Sequence, residues 1–392
     1  MSNPPPSRTL PLLGLLLLVA ALLFIGLNKR ETSSPFDLQR GVPKSSQTDW
    51  REGWQELKPF QYPRRALAAA TANGYLYVVG GVDARGRYVR PVEYAPILAD
   101  GRLGPWQTTS ALREGRFYLA AAIHRDYLYA LGGGGGSLGD DNVPLASVER
   151  ARINPDGSLQ AWQHHSYLTT PRRGLKASVV DNRLYAIGGY NGRFLKSIEH
   201  LEPDNPADPG QWRLDPEQAK VDRYIHAAAT LGRRLFLLGG HVEKGGPMSY
   251  GDVESTTIGA DGWLAPWQVA ESRLLQPRFI ASAFALEDHL YLLGGHDGIR
   301  RLATVEMATV RANGQPRAWS PLKSLNHKRS ATAVALSGTT VYVAGGMDDQ
   351  GVLQSVEMAQ LGPQGRLGYW KDSMPLSSAA QPRLAATPLD VK

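Results

Sequence analysis

One pattern limits what this chain can fold into more than any other. A Gly-Gly pair closes a short apolar run six times, at Gly80-Gly81, Gly132-Gly133, Gly188-Gly189, Gly239-Gly240, Gly294-Gly295 and Gly345-Gly346. Three residues before each first glycine stands an aromatic: Tyr77, Tyr129, Tyr185, Phe236, Tyr291 and Tyr342. Sixteen residues before it stands an arginine: Arg64, Arg116, Arg172, Arg223, Arg278 and Arg329. Downstream, a Val/Ile-Glu pair ends in Glu93, Glu149, Glu199, Glu254, Glu306 and Glu357. Thirteen residues after each glutamate comes a tryptophan: Trp106, Trp162, Trp212, Trp267, Trp319 and Trp370. Those two long spacings never change. The step from Gly-Gly to Glu does, taking 13, 17, 11, 15, 12 and 12 residues, and Trp to the next Arg takes 10 or 11.

Each unit reads as four short strands. The first is small and apolar ("ALAAAT", "YLAAAI", "IHAAAT"), the second is "YLYVVGG" and its copies, the third runs through Val-Glu, and the fourth carries the Trp. Asp100-Gly101, Asp156-Gly157, Asp261-Gly262 and Asn313-Gly314 mark tight turns between the third and fourth; the third copy has "DNPADPG" instead. Four-stranded antiparallel sheets repeated radially make an all-β propeller, with alanines on the crowded inner strand and tryptophans wedged between sheets. Six copies predict six blades, one terminus closing the ring and the other lying over it. An extra Trp54 and the strand-like "PRLAATPLDV" around Arg383 leave an added half-blade as the alternative.

Arg followed by small residues, then "LYxxGG", Val-Glu and Trp, resembles the kelch repeat. The resemblance covers about Trp54 to Arg383. It implies a propeller of four-stranded blades that binds partners through loops at one mouth of its channel. Some kelch relatives are enzymes. Copper oxidases of the galactose oxidase type need a Cys–Tyr crosslink, and this chain has no Cys. Exported sialic acid mutarotases are six-bladed kelch proteins and fit the length, the apolar N-terminal segment and a cationic mouth. The leading expectation is therefore a non-catalytic binding module. The alternative is an exported carbohydrate-active isomerase using His226, Asp297 or Glu243 near Arg223 and Arg278.

Composition narrows the field further. The lack of Cys removes disulfides, Cys-ligated zinc and thiol nucleophiles. The net charge of +7 is spread along the chain without a Lys/Arg block, so nucleic acid is not an expected partner. After a polar tail (1–9), residues 10–27, "LPLLGLLLLVAALLFIGL", carry no charge. At about 1.5 Å per residue this run approaches the thickness of a bilayer core. It reads as a transmembrane signal-anchor, with a cleaved signal peptide as the rival. Residues 28–53 read as a linker and 54–392 as the propeller, which is expected on the extracytoplasmic side of a single-pass membrane protein.

In an antiparallel meander the 2–3 and 4–1 connections share one face, and both variable spacings fall there. Loops on a rigid scaffold carry binding, so this face is the candidate site. The expected ligand-facing residues are Arg64, Arg116, Arg172, Arg223, Arg278, Arg329, Tyr118, Tyr190, Tyr224, His241 and His296. Arg65, Arg173, Arg85, Arg87, Arg193, Arg300, Arg301 and Lys328 add charge, and Phe117, Tyr250 and Phe279 add rings. Cations among aromatic planes suit a protein, peptide or acidic glycan. The competing reading gives the six arginines to hydrogen bonds within each blade.

Other motifs yield less. Gly134, Gly136 and Gly139 match G-x-G-x-x-G, but Pro144 and a strand follow where a dinucleotide site needs a helix. The six glutamates occupy equivalent places, whereas acid–base pairs need unlike ones. The nine histidines show no HxxxH spacing, so neither metal nor cofactor is expected.

Overall fold

Strand 2 of each repeat is an unbroken apolar run, and a strand of that kind needs cover on both faces. It receives this from its neighbours. Tyr77 and Val79 pack toward blade 2 with Leu128, Ala130 and Trp162, while Leu76 and Val78 pack toward blade 6 with Tyr342 and Val356. The side-chain alternation of one strand thus serves two inter-blade cores. The computed structural model describes residues 50–136, 142–201, 210–241 and 249–371.

The strands of each repeat lie side by side in chain order. Blade 1 contains Ala68–Ala72, Tyr75–Val79, Pro91–Pro96 and Gln107–Ala111. Blade 3 contains Lys176–Val180, Arg183–Ile187, Ile198–Leu201 and Trp212–Leu214. Blades 2, 4 and 5 follow the same plan. Inner strands contact one another in sequence order, and Ala333–Ser337 of blade 6 meets Ala68–Ala72, closing a six-bladed ring.

The N-terminal side of the propeller makes that closure. Gln55–Leu57 pairs with Val356–Met358 and so occupies the place of strand 4 in blade 6. The register agrees with the other blades: Glu357 faces Glu56, two residues after Trp54, as Glu93 faces Thr108 and Glu254 faces Val269. Trp54 is buried and its Nε1 donates to the Lys323 carbonyl at 3.2 Å, just as Trp106 reaches Lys58 at 3.0 Å. This corrects the sixth tryptophan. Trp370 is not a wedge; it is 37% exposed and meets Trp50 edge-on at 5.1 Å. Its strand, Leu367–Trp370, pairs with Trp50–Glu52 along the outside of the blade. Strand pairing therefore includes Trp50–Glu52, inside the stretch expected to be linker.

The Gly-Gly pairs sit where backbone meets backbone, the first glycine against the next blade and the second against its own. Gly80 and Gly81 have φ of 63° and 90°. A Cβ on Gly80 would lie 2.9 Å from the Arg116 carbonyl, and one on Gly81 2.7 Å from that of Arg65. The expected tight turns have an inter-blade role as well. Tyr77 donates its hydroxyl hydrogen to the Gly157 carbonyl of the next blade, Tyr185 to Gly262, Tyr291 to Gly365 and Tyr342 to Gly101, at 2.6 to 2.8 Å.

The apolar run 10–27, most of the linker and Arg383 lie outside the described residues. Among the described residues no helix is long and apolar enough to cross a membrane.

Candidate functional site

The repeat arginines and glutamates meet in every blade. Arg64 Nη2 lies 2.5 Å from Glu93, and Arg116, Arg172, Arg223 and Arg329 lie 2.6 Å from Glu149, Glu199, Glu254 and Glu357; Arg278 pairs with Glu306 in the same way. The other guanidinium nitrogen, Nη1, donates to the carbonyl of the first glycine of the pair, for example Gly132 at 2.8 Å and Gly188 at 2.7 Å. That bond fixes the sixteen-residue spacing. Each glutamate also accepts two backbone N–H bonds from the connection arriving from the previous blade, as Glu93 does from Gln61 and Tyr62. One buried ion pair thus ties strand 3, the Gly-Gly turn and the 4–1 connection together. Burial pulls the Arg64 pKa down to about 10, with Glu93 opposing the fall, so the guanidinium stays charged at neutral pH.

This arrangement corrects the expectation that Arg64, Arg116, Arg172, Arg223, Arg278 and Arg329 line a ligand site. All six are buried and committed to a carboxylate and peptide carbonyls of their own blade. The periodicity that made them conspicuous marks a structural clasp.

The residue after each arginine differs from blade to blade: Arg65, Arg173 and Tyr224 are partly exposed, while Phe117, Phe279 and Ser330 are buried. It forms an antiparallel bridge with the residue after the Gly-Gly pair: Arg65 with Val82, Phe117 with Gly134, Arg173 with Tyr190, Tyr224 with His241, Phe279 with His296 and Ser330 with Met347. One residue farther on, Ala66, Tyr118, Ile225, Ile280 and Ala331 all have φ between 47° and 55°. Their peptides link blade to blade around the mouth. Ala66 donates its N–H to the Ala331 carbonyl, Tyr118 to Ala66, Gly174 to Tyr118, Ile280 to Ile225 and Ala331 to Ile280, at 2.7 to 3.1 Å. The channel beneath narrows to about 30 Å³. The mouth is a platform with side chains standing on it.

Those side chains differ around the ring. Across blades 3 to 5 they form a continuous arc of rings. Tyr190 and Phe194 lie 5.2 and 5.6 Å from Tyr224, Phe194 is 6.2 Å from His241, His241 is 5.1 Å from Phe279, and Phe279 is 5.4 Å from His296. The Arg173 guanidinium lies over Tyr190 at 4.8 Å and Tyr224 at 5.9 Å. Gly174 makes room for this: a Cβ there would come within 2.6 Å of the Tyr224 ring. Burial pushes the Tyr224 and Tyr118 phenols up, and the charge of Arg173 opposes the shift in both. Arg65 acts on Tyr118 in the same sense. Tyr118 also packs on Phe117 at 5.4 Å, which touches Tyr88 at 6.1 Å.

The structure therefore brings together Tyr118, Tyr190, Tyr224, His241 and His296, with Arg65, Arg173, Phe117 and Phe279. Sequence reasoning missed Phe194 and Tyr88, which stand in the variable 2–3 loops without repeat register. It also missed Lys176, whose signal was a charge where other copies have Ala or Ser.

The residues named for an isomerase lie in different settings. His226 is fully buried against Gly188 and Gly240, behind the platform. Asp297 accepts N–H bonds from Ile299 and Arg300 within its own turn, which hold its carboxyl below the usual range despite some burial. Glu243 lies outside the described residues. Gly134–Gly136 pairs with Asn142–Pro144 as a hairpin, so the glycine-rich run continues as a strand.

Comparison with known proteins agrees with this geometry. The family model for the Kelch motif matches residues 171–206, from the clasp arginine of blade 3 past its glutamate. Beta-scruin of Limulus polyphemus is 30% identical over 151 residues. The chain is a kelch-repeat protein. The beta-scruin match covers 38% of this chain but only 16% of beta-scruin. Kelch-like protein 34 of Homo sapiens is 26% identical over 62% of this chain and 36% of its own length. This kelch chain therefore spans well under half of either relative. Among solved structures, that of YjhT superposes with a TM-score of 0.62 at 17% identity, covering 79% of this chain and 98% of YjhT. That likeness concerns the fold.

Proposed function

We propose that this kelch propeller is a non-catalytic interaction module that grips a protein segment across its 2–3 and 4–1 face. The aromatic arc from Tyr190 to His296, with Arg173 stacked on it, carries the reading. Partly buried aromatic rings and a stacked guanidinium are the side chains that dominate protein interfaces. Five cations, Arg65, Arg85, Arg173, Arg193 and Lys328, belong to the same face and, among the described residues, to none of its carboxylate pairs, which favours a partner segment bearing carboxylates. The kelch proteins that this chain matches support protein partners in general.

The test is capture of partners from a lysate of the source cells, followed by affinity measurement with the partner recovered. The double variant Arg173→Ala/Tyr190→Ala should lose capture. Arg311→Ala, in a 3–4 hairpin on the opposite face, should keep it. Equal loss in both variants, or in neither, rejects the rim as the site.

We further propose that residues 10–27 tether the propeller to a bilayer, on its extracytoplasmic side. Their length and lack of charge support this. The full-length protein should stay with membranes through an alkaline carbonate wash, and a chain starting at residue 49 should be released. Release of both removes the tether.

A further inference from the structure

Lys176 departs from the repeat at a place the rim does not explain. Four residues after the clasp arginine, the inner strands begin with Ala68, Ala120, Ala227, Ser282 and Ala333; blade 3 begins with Lys176. Inner strands pair on one edge only, with strand 2 of their own blade. Their free edges face the axis, where alternate peptides turn N–H and C=O groups inward.

The channel these edges enclose has a waist of about 180 Å³, lined by Ala68, Ala120, Lys176, Ala228 and Ser282 among others. That is room for several waters. Below the rim it narrows to about 30 Å³, and toward the hairpin face it holds about 250 Å³ between Ser178, Thr230, Ala285 and Leu336. Among the described residues, Lys176 is the one charged side chain lining these three spaces.

No carboxylate among the described residues offsets its charge. Burial alone acts on it, pulling its pKa down to about 8. Its titratable neighbour is His226 on the adjacent blade, with Arg223 behind. Burial, Arg223 and Lys176 together hold that imidazole well below its usual range, so it is neutral. The surroundings are therefore neutral or positive on every side.

We propose that the axial channel beside Lys176 binds a small monoanion, a halide or a short carboxylate, reached from the hairpin face. A desolvated ammonium among alanine methyls is unfavourable alone, and an anion beside it restores the lost interaction. The inward N–H groups of the free strand edges supply further donors. The alanines leave the space without setting a shape, so charge and size select the ligand.

Chloride is the probe, followed by quadrupolar NMR of its linewidth with the full-length protein. Wild type should broaden the resonance, and formate should compete. Lys176→Ala installs the residue that four other blades carry, and should weaken chloride binding at least about tenfold. Lys176→Gln serves the same purpose should the alanine variant fail to fold, and Lys176→Arg should retain binding. Broadening should be lost with a midpoint near pH 8 at low chloride. The midpoint should climb as chloride rises, because the anion favours the ammonium. Exposed lysines would release chloride only near their own pKa of about 10.4. Unchanged broadening in the uncharged variant, or loss only in that alkaline range, overturns the proposal.

Discussion

Blades 4 and 6 share a skeleton and differ in what they show. Their clasps are alike, Arg223 to Glu254 and Arg329 to Glu357, both at 2.6 Å. Their rim bridges are alike in backbone, Tyr224 with His241 and Ser330 with Met347. Blade 4 nevertheless contributes two rings to the aromatic arc, and the blade 6 bridge contributes none. The repeat fixes the chain up to the arginine and then releases it for two residues. Individuality in this protein is a property of single positions on a uniform frame, more than of loop length.

The largest effect should come from the part the two blades share. Glu254→Ala and Glu357→Ala each leave a buried guanidinium without its carboxylate. Each should cost about 3–5 kcal/mol of stability in urea unfolding, as removing one partner of a buried ion pair does. A cost within the surface range of under about 1 kcal/mol in either blade would mean that its clasp is not a buried pair. The next effect separates the blades. Tyr224→Ala should weaken partner binding by about 2 kcal/mol, in the range of interface anchors, and Met347→Ala should leave it unchanged. Equal losses would spread the interface around the whole ring.

The shared frame was legible in the sequence and the differences were not. Six arginines, glutamates and tryptophans at fixed spacing give a four-stranded blade and its count directly, because clasp and wedge need those residues in register. The same regularity misled about role. An arginine present in every copy looks like a cationic ring, and only burial shows that it faces a carboxylate of its own blade. Trp370 misled in the same way: it keeps the spacing, but Trp54 fills the place. Phe194 joins the arc from a loop whose path no spacing encodes. Lys176 was visible as a letter, but only the ring of inner strands shows that, among the described residues, it is the one charge lining the channel.

Lys176 gives the third prediction, since it sets blade 3 apart as Tyr224 sets blade 4 apart. Its pKa is about 8 when folded, against about 10.4 for an exposed lysine. Between those values the unfolded chain binds the extra proton, so stability rises with pH there. The gain is at most about 1.4 kcal/mol per pH unit, and below pH 8 the contribution is flat. Wild type should therefore gain on Lys176→Ala between pH 8 and 10, measured by urea unfolding at low chloride. A constant difference across that range would mean that the ammonium is solvated like any surface lysine.

The smallest effect returns to blades 4 and 6, one bond at a time. Tyr342 of blade 6 donates to the Gly101 carbonyl of blade 1 at 2.6 Å. Blade 4 has Phe236 in that position and cannot make the bond. Tyr342→Phe therefore gives blade 6 the interface that blade 4 already has, with no change in ring volume. It should cost about 1 kcal/mol, the net worth of one hydrogen bond, or somewhat more because the carbonyl left behind is at a buried interface. The seam between blades 6 and 1 is also where the two ends of the propeller meet, so the loss should appear there first. Amide exchange in Ala333–Ser337 and Ala68–Ala72 should speed up, while exchange in Ala227–Leu231 should not. Faster exchange everywhere would mean that the ring opens as one unit, with no weakest seam for the hydroxyl to hold.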